Sequence, residues 1–151
     1  MIILVDITNR TKLKRLLLSL KPDTTPLWGK MKPQQMVEHL IVQVQYTNGK
    51  LIPYCERPAD EAYKAKQEMI YTDAEIPQNI VLETLPENFI YTDIPTAVQQ
   101  LIIELDTFDA YFKKPGTMAI HGGFGPMKYQ EWINWHGKHF IHHFKQFGLL
   151  R

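Results

Sequence analysis

Val98, Leu101, Ile102, Leu105, Phe108 and Phe112 recur at helical spacing between a helix start, Asp93-Ile94-Pro95, and a helix stop, Lys113-Lys114-Pro115-Gly116. A stripe of that length has to bury one face against other elements, and the remaining periodic stretches supply helices rather than strands. Leu13, Leu16, Leu17 and Leu20 repeat at i, i+3, i+4, i+7 until Pro22 ends the run. Pro33 suits the first turn of a second helix, with Met36, Val37, Leu40, Ile41 and Val44 on its stripe and Asn48-Gly49 at its end. A last helix runs from about Lys128 to Phe147, with Gly148 placed for its C-terminal cap. Four helices and little strand predict an all-α fold, an antiparallel four-helix bundle with a long irregular connection between the second and third helices. In that connection, residues 50–93, Pro53, Pro58, Pro77 and Pro86 interrupt long elements. Ala59 to Tyr71 suits a short helix, and Ile80-Val81-Leu82 and Phe89-Ile90-Tyr91 are locally β-like, but a functional excursion is the preferred reading. Lys21 to Lys32 and the glycine-rich His121 to Pro126 read as loops.

The 151 residues suit one domain, 1–151, able to bury a core without staples. Lys+Arg 17 against Asp+Glu 16 leaves a charge of +1 with no block of one sign, so no nucleic-acid partner is expected. Met1 to Asp6 lacks the basic flank of a signal peptide and no apolar run reaches spanning length, so no membrane partner is expected and a cytoplasmic location is. The single cysteine, Cys55, excludes an internal disulfide and has no nucleophile motif around it.

Four of the six histidines, His136, His139, His142 and His143, fall within eight residues. Neutral imidazole is the commonest ligand of zinc-like metals, and the i, i+4 pair His139 and His143 stacks on one helical face. At about 100° per residue, the last helix turns Ile133, Phe140, Phe144 and Phe147 inward. His139, His143 and His136 fall in the same half, with Trp132 and Gln146 beside them. His142 falls on the boundary and reads as a rim residue, while Glu131, Lys138 and Lys145 face away. The same construction puts His39 at the edge of the second helix's stripe, flanked by Gln35, Gln43 and Tyr46. Histidine pairs at this spacing also arise by chance and sit in cores. Three inward imidazoles without an ion, however, need separate partners, and each unpaired buried group costs on the order of 1–3 kcal/mol. The tryptophans and phenylalanines of the last helix read as ordinary core, and Lys12, Lys14 and Arg15 as a solvated face.

Leu27-Trp28-Gly29-Lys30-Met31, Gln35-Met36-Val37-Glu38-His39-Leu40, His121-Gly122-Gly123-Phe124-Gly125, Glu131-Trp132, and His139 through Phe147 together resemble the DinB-like bundles, most closely a domain-of-unknown-function branch. The resemblance spans nearly the whole chain. One departure is His121-Gly122, where that branch often has His-Pro. The resemblance implies a four-helix bundle holding a divalent metal with one histidine of helix two and two of helix four, which carries to His39, His139 and His143. It also implies activities that use low-molecular-weight thiols, beside many members of undetermined activity, and it admits a homodimer.

Three histidines leave a coordination position free, the arrangement of catalytic rather than structural zinc. The leading expectation is a divalent metal, Zn2+ or Ni2+, that activates a small thiol or water for transfer to, or hydrolysis of, a small substrate. Gln146 and Gln43 are candidates to orient ligands or substrate, His136 to relay a proton, and Trp28 with the His121 loop to wall a pocket. The rival reading is a non-catalytic metal-binding or stress-associated bundle; a dimerising apolar scaffold stands third.

Overall fold

Caps satisfy orphan backbone groups at several helix ends of the protein, as seen in a computed structural model that describes residues 5–78 and 85–150. The order is α1 (Arg10–Leu18), α2 (Pro33–Gln45), α3 (Ala59–Ile70), α4 (Ile94–Tyr111), β1 (Ala119–His121), β2 (Gly125–Met127) and α5 (Tyr129–Gln146). The Asn9 side chain accepts from Lys12 N at 3.1 Å to start α1, and Asp93 Oδ1 accepts from Thr96 N at 2.8 Å to start α4. Pro33 opens α2, where Gln35 Oε1 accepts the Lys32 N–H at 2.8 Å. At the far end of α5, Gly148 takes a φ of +70°. Its N–H reaches the Lys145 carbonyl and that of Leu149 the Phe144 carbonyl, a paired closure that a left-handed glycine makes cheap.

The fold is mostly helical, as the periodicity predicts. The broadest helix contact is α2 on α4; α1 also packs on α4, and α5 touches α2 and α3. Leu13, Leu17, Met36, Leu40, Leu101, Leu105, Phe108, Phe140 and Phe144 are closed off from solvent in one core. Burying each such side chain stabilises the fold by about 1.5–3 kcal/mol before chain entropy is subtracted. Lys12, Lys14 and Arg15 are exposed, as expected of a solvated face. Among the described residues no helix is long and apolar enough to cross a membrane.

Three expectations need correction. The connection between α2 and α4 is not simply irregular: the short helix that Ala59 to Tyr71 suits forms over Ala59–Ile70, so the described residues hold five helices rather than four. Because α3 and the turn after it lie on α5, Glu131 and Lys138, expected to face water, are buried at 6% and 3% exposure. The glycine-rich loop is instead a hairpin, with Ala119 opposite Met127 and His121 opposite Gly125. Ala119 and Met127 point inward, Ile120 and Pro126 outward, and Trp132 Nε1 donates to the Ala119 carbonyl at 3.0 Å.

Phe89-Ile90-Tyr91 forms no strand. The N–H groups of Ile90 and Tyr91 instead donate to the Glu38 carboxylate at 3.0 to 3.2 Å, so they do not seek a neighbouring chain. Ile80-Val81-Leu82 lies outside the described residues.

Candidate metal centre

Along α5, His139 and His143 stack one turn apart on the side that meets α2, and His39 rises from α2 to face them. His39 Nε2 and His143 Nε2 each lie 3.1 Å from His139 Nε2. One ring nitrogen of each residue lies within 4.8 Å of the other two. The rings stand at 64° to 87° to one another, with centroids 4.8 to 5.1 Å apart, so their edges rather than their faces converge. His139 and His143 are 8% and 6% exposed, whereas His39 is half-buried and leaves one side nearer to solvent.

The tautomer of His143 is fixed by a chain of acceptors. The Trp28 carbonyl can only accept, so the 3.1 Å contact orients the Gln146 amide with its Nε2 toward Trp28. Gln146 Oε1 then accepts the Nδ1–H of His143 at 2.8 Å, and the His143 Nε2 that faces the cluster carries a lone pair. Gly29, at φ +75°, lets this loop pass; a Cβ there would stand 3.1 Å from Gln146 Nε2. The main chain closes the same contact, with Leu27 N donating to the Gln146 carbonyl at 2.7 Å.

Burial sets the protonation of the cluster. It drives His139 well below the usual imidazole range, and the neighbouring His143, His39, His136 and His142 push the same way. His143 falls to about 3, again mainly by burial and then by His39, with the Gln146 bond opposing. Both are neutral near pH 7 and offer lone pairs to a cation.

The donor set suits such an ion. Bonds of about 2.0–2.1 Å to a tetrahedral zinc place imidazole nitrogens about 3.3 Å apart. The two edges at His139 are close to that, and all three nitrogens lie within 4.8 Å of one another.

The other candidates fall in different places. His136 is fully buried: its Nε2 meets Thr47 Oγ1 at 3.1 Å, and its ring packs on Phe108, Trp132 and Phe140. Burial, then His121, lowers it to about 3. His142 is half-buried with Trp28 edge-on at 5.6 Å, and the two line a cavity of about 60 Å³ with Ile76, Lys138 and Lys145. Trp28 thus walls a pocket beside the triad rather than over it. Gln43 stands one turn after His39 on α2, half-buried.

His121 stacks on Phe124 at 4.0 Å and accepts the Gly123 N–H on Nδ1 at 2.9 Å. Burial, then Arg57, lowers it to about 4. Its ring meets Trp132 at 5.5 Å and Trp135 at 4.7 Å, and Trp135 stacks on His139 at 5.9 Å. The sequence reads Trp135 only as ordinary core and gives Thr47 no role. An aromatic one turn before His139 is the signal that marks the first, and nothing local marks the second.

Comparison with family models, with curated proteins and with solved structures returned no match.

Proposed function

We propose that this chain is a divalent-metal-dependent enzyme of the DinB-like kind, with His39, His139 and His143 holding Zn2+ or Ni2+. The reading takes α1, α2, α4 and α5 as an antiparallel four-helix bundle, with α3 and the hairpin as additions to it. The observation that carries it is the meeting of three imidazole edges from two helices, with the Nε2 of His143 committed as a lone pair by Gln146. When bound between three neutral ligands, the cation keeps its full +2 charge and lowers the pKa of a small thiol or water, which makes either a nucleophile near pH 7. Gln146 keeps His143 turned toward the ion. The Trp135 ring lies near-parallel to that of His139, with centroids 5.9 Å apart, and flanks the ligand. The half-buried side at His39 is the approach for a small-molecule substrate, a low-molecular-weight thiol being the first to try. The reading places the protein in the cytoplasm as a soluble monomer or homodimer, acting on neither nucleic acid nor membranes.

The near-complete burial of His139 and His143 favours a second reading, in which the ion only staples α2 to α5. Elemental analysis after expression in zinc and in nickel, beside His143→Ala, tests both: one ion per chain in the parent and none in the variant supports a metal centre. A screen of thiol donors against electrophilic acceptors then separates them. Turnover that disappears on chelation marks an enzyme, and metal-dependent stability without turnover marks the staple.

A further inference from the structure

The two ligands on α5 are aimed by different means. His143 has an acceptor, Gln146 Oε1, on its outer nitrogen. His139 has none: among the described residues its Nδ1 is buried without a hydrogen-bond partner, so nothing polar behind the ring fixes how it is turned about its Cβ–Cγ bond. Half a revolution there would carry Nε2 away from His39 and His143. Aromatic packing stands where the acceptor would be. Trp135, one turn earlier on α5, lies within 19° of the plane of His139, with centroids 5.9 Å apart. Two rings of the β1–β2 hairpin meet Trp135 at near right angles, His121 at 4.7 Å and 87° and Phe124 at 5.3 Å and 88°. These two stack on each other at 4.0 Å and 10°, which makes one plate of them. The plate is tied down at both ends. The Gly123 N–H donates to His121 Nδ1 at 2.9 Å and holds that ring to its own turn, while Trp132 Nε1 donates to the Ala119 carbonyl at 3.0 Å and holds the hairpin to α5.

Resting on the metal reading above, we propose that the β1–β2 hairpin is the outer support of the metal centre: His121 and Phe124 hold Trp135, and Trp135 holds His139 with its Nε2 toward the ion. All three are positioning residues in this scheme, acting on the cation only through His139. They complement Gln146, which aims His143 by a direct bond.

Zinc affinity is measured by competition with a chromophoric chelator for the parent, Trp135→Phe, Trp135→Leu, His121→Leu and the double variant of His121→Leu with Trp135→Leu, beside urea unfolding of each metal-free protein. Trp135→Leu should bind about tenfold more weakly, and Trp135→Phe, which keeps a flat ring, within about threefold of the parent. His121→Leu removes one edge-on ring pair and should cost about threefold. The double variant should bind zinc no more weakly than Trp135→Leu alone, because a support that has lost what it holds has nothing further to lose. Phe124→Leu repeats the test without touching α5 and should also cost about threefold, a readout that stands even if Trp135→Leu fails to fold. Unchanged affinity in both hairpin variants overturns the support and leaves the metal centre intact. So do losses that multiply in the double variant, or a Trp135→Phe as weak as Trp135→Leu with both following their urea midpoints. A parent that takes up no zinc sinks the metal reading itself, and the support with it.

Discussion

Helix α5 carries a polar cluster on each of two faces, and the two are settled in opposite ways. Toward α3, the Lys138 ammonium donates to the carbonyls of Met69, Thr72 and Ala74, which uses all three of its protons and caps the end of that helix. On the same side Glu131 accepts from Tyr71 at 2.5 Å and from Lys128 N at 3.0 Å, with Lys66 Nζ at 3.3 Å. Burial pushes the Glu131 carboxyl up, but these donors outweigh it and hold it below its ordinary range. Its bond to Tyr71, followed by burial, pushes that phenol up to about 12. Toward α2, by contrast, three imidazole nitrogens face one another, with His139 Nε2 at 3.1 Å from the Nε2 of both His39 and His143. The first cluster is closed by its own chain. The second leaves three ring nitrogens turned on one another, the arrangement that the proposed cation would complete, and that difference separates a strut from a candidate site.

The sharpest way to break this comparison is to remove a member from each side. His143→Ala should lower zinc affinity by about 100-fold or more, because a two-histidine remnant lacks the third donor that catalytic zinc sites use. The fold should survive, with the loss read by elemental analysis and the integrity by circular dichroism. Lys138→Met should do the reverse. It strands three carbonyls at the end of α3 and should cost about 2–4 kcal/mol in urea unfolding, with zinc affinity unchanged. If Lys138→Met loses its metal while His143→Ala keeps it, the two faces have been assigned the wrong way round.

The same two faces show what can be read from residues alone. The stripes of α2, α4 and α5 are legible because a 3.6-residue period is written over a dozen or more positions. His39, His139 and His143 are legible as a group because each sits at the border of such a stripe. The α3 face is not, since a helical wheel assumes that whatever points away from the core meets water. Glu131 and Lys138 meet α3 instead, and no period in α5 announces a partner 60 or more residues away. Glu38 gives the same lesson: its carboxylate collects the N–H groups of Ile90 and Tyr91 from 52 and 53 residues on, which turns a β-like run into a docked irregular segment. The hairpin at Ala119–His121 is hidden for another reason. Strands of three residues are too short for alternation to stand out against Gly122, Gly123 and Gly125. The role of Gln146 rests on the Trp28 carbonyl, 118 residues away, because that contact decides which end of the amide faces His143.

A smaller effect sharpens the open side further. Gln146→Leu removes the acceptor for His143 Nδ1–H and frees the ring to change tautomer, so zinc affinity should fall about tenfold. Gln146→Glu keeps an acceptor at that position and should retain most of the affinity. Equal losses in both variants would mean that the amide matters for holding Leu27 and Trp28 rather than for the ligand.

The smallest expected effect concerns pH, measured on the metal-free protein. Burial holds His136 at about 3 and His121 at about 4, against an ordinary value of 6.5. The unfolded chain therefore binds more protons than the folded one between those limits, and stability rises with pH across that window. The contribution is fully present above pH 6.5 and is lost progressively as pH falls, first toward 4, where His121 becomes protonated in the fold, and then toward 3 for His136. His121→Gln removes one of the two titrations. Urea midpoints taken from pH 7.5 to 4.5 should then fall less steeply than in the parent, while a parallel decline would show that the His121 ring already meets enough water to escape its burial.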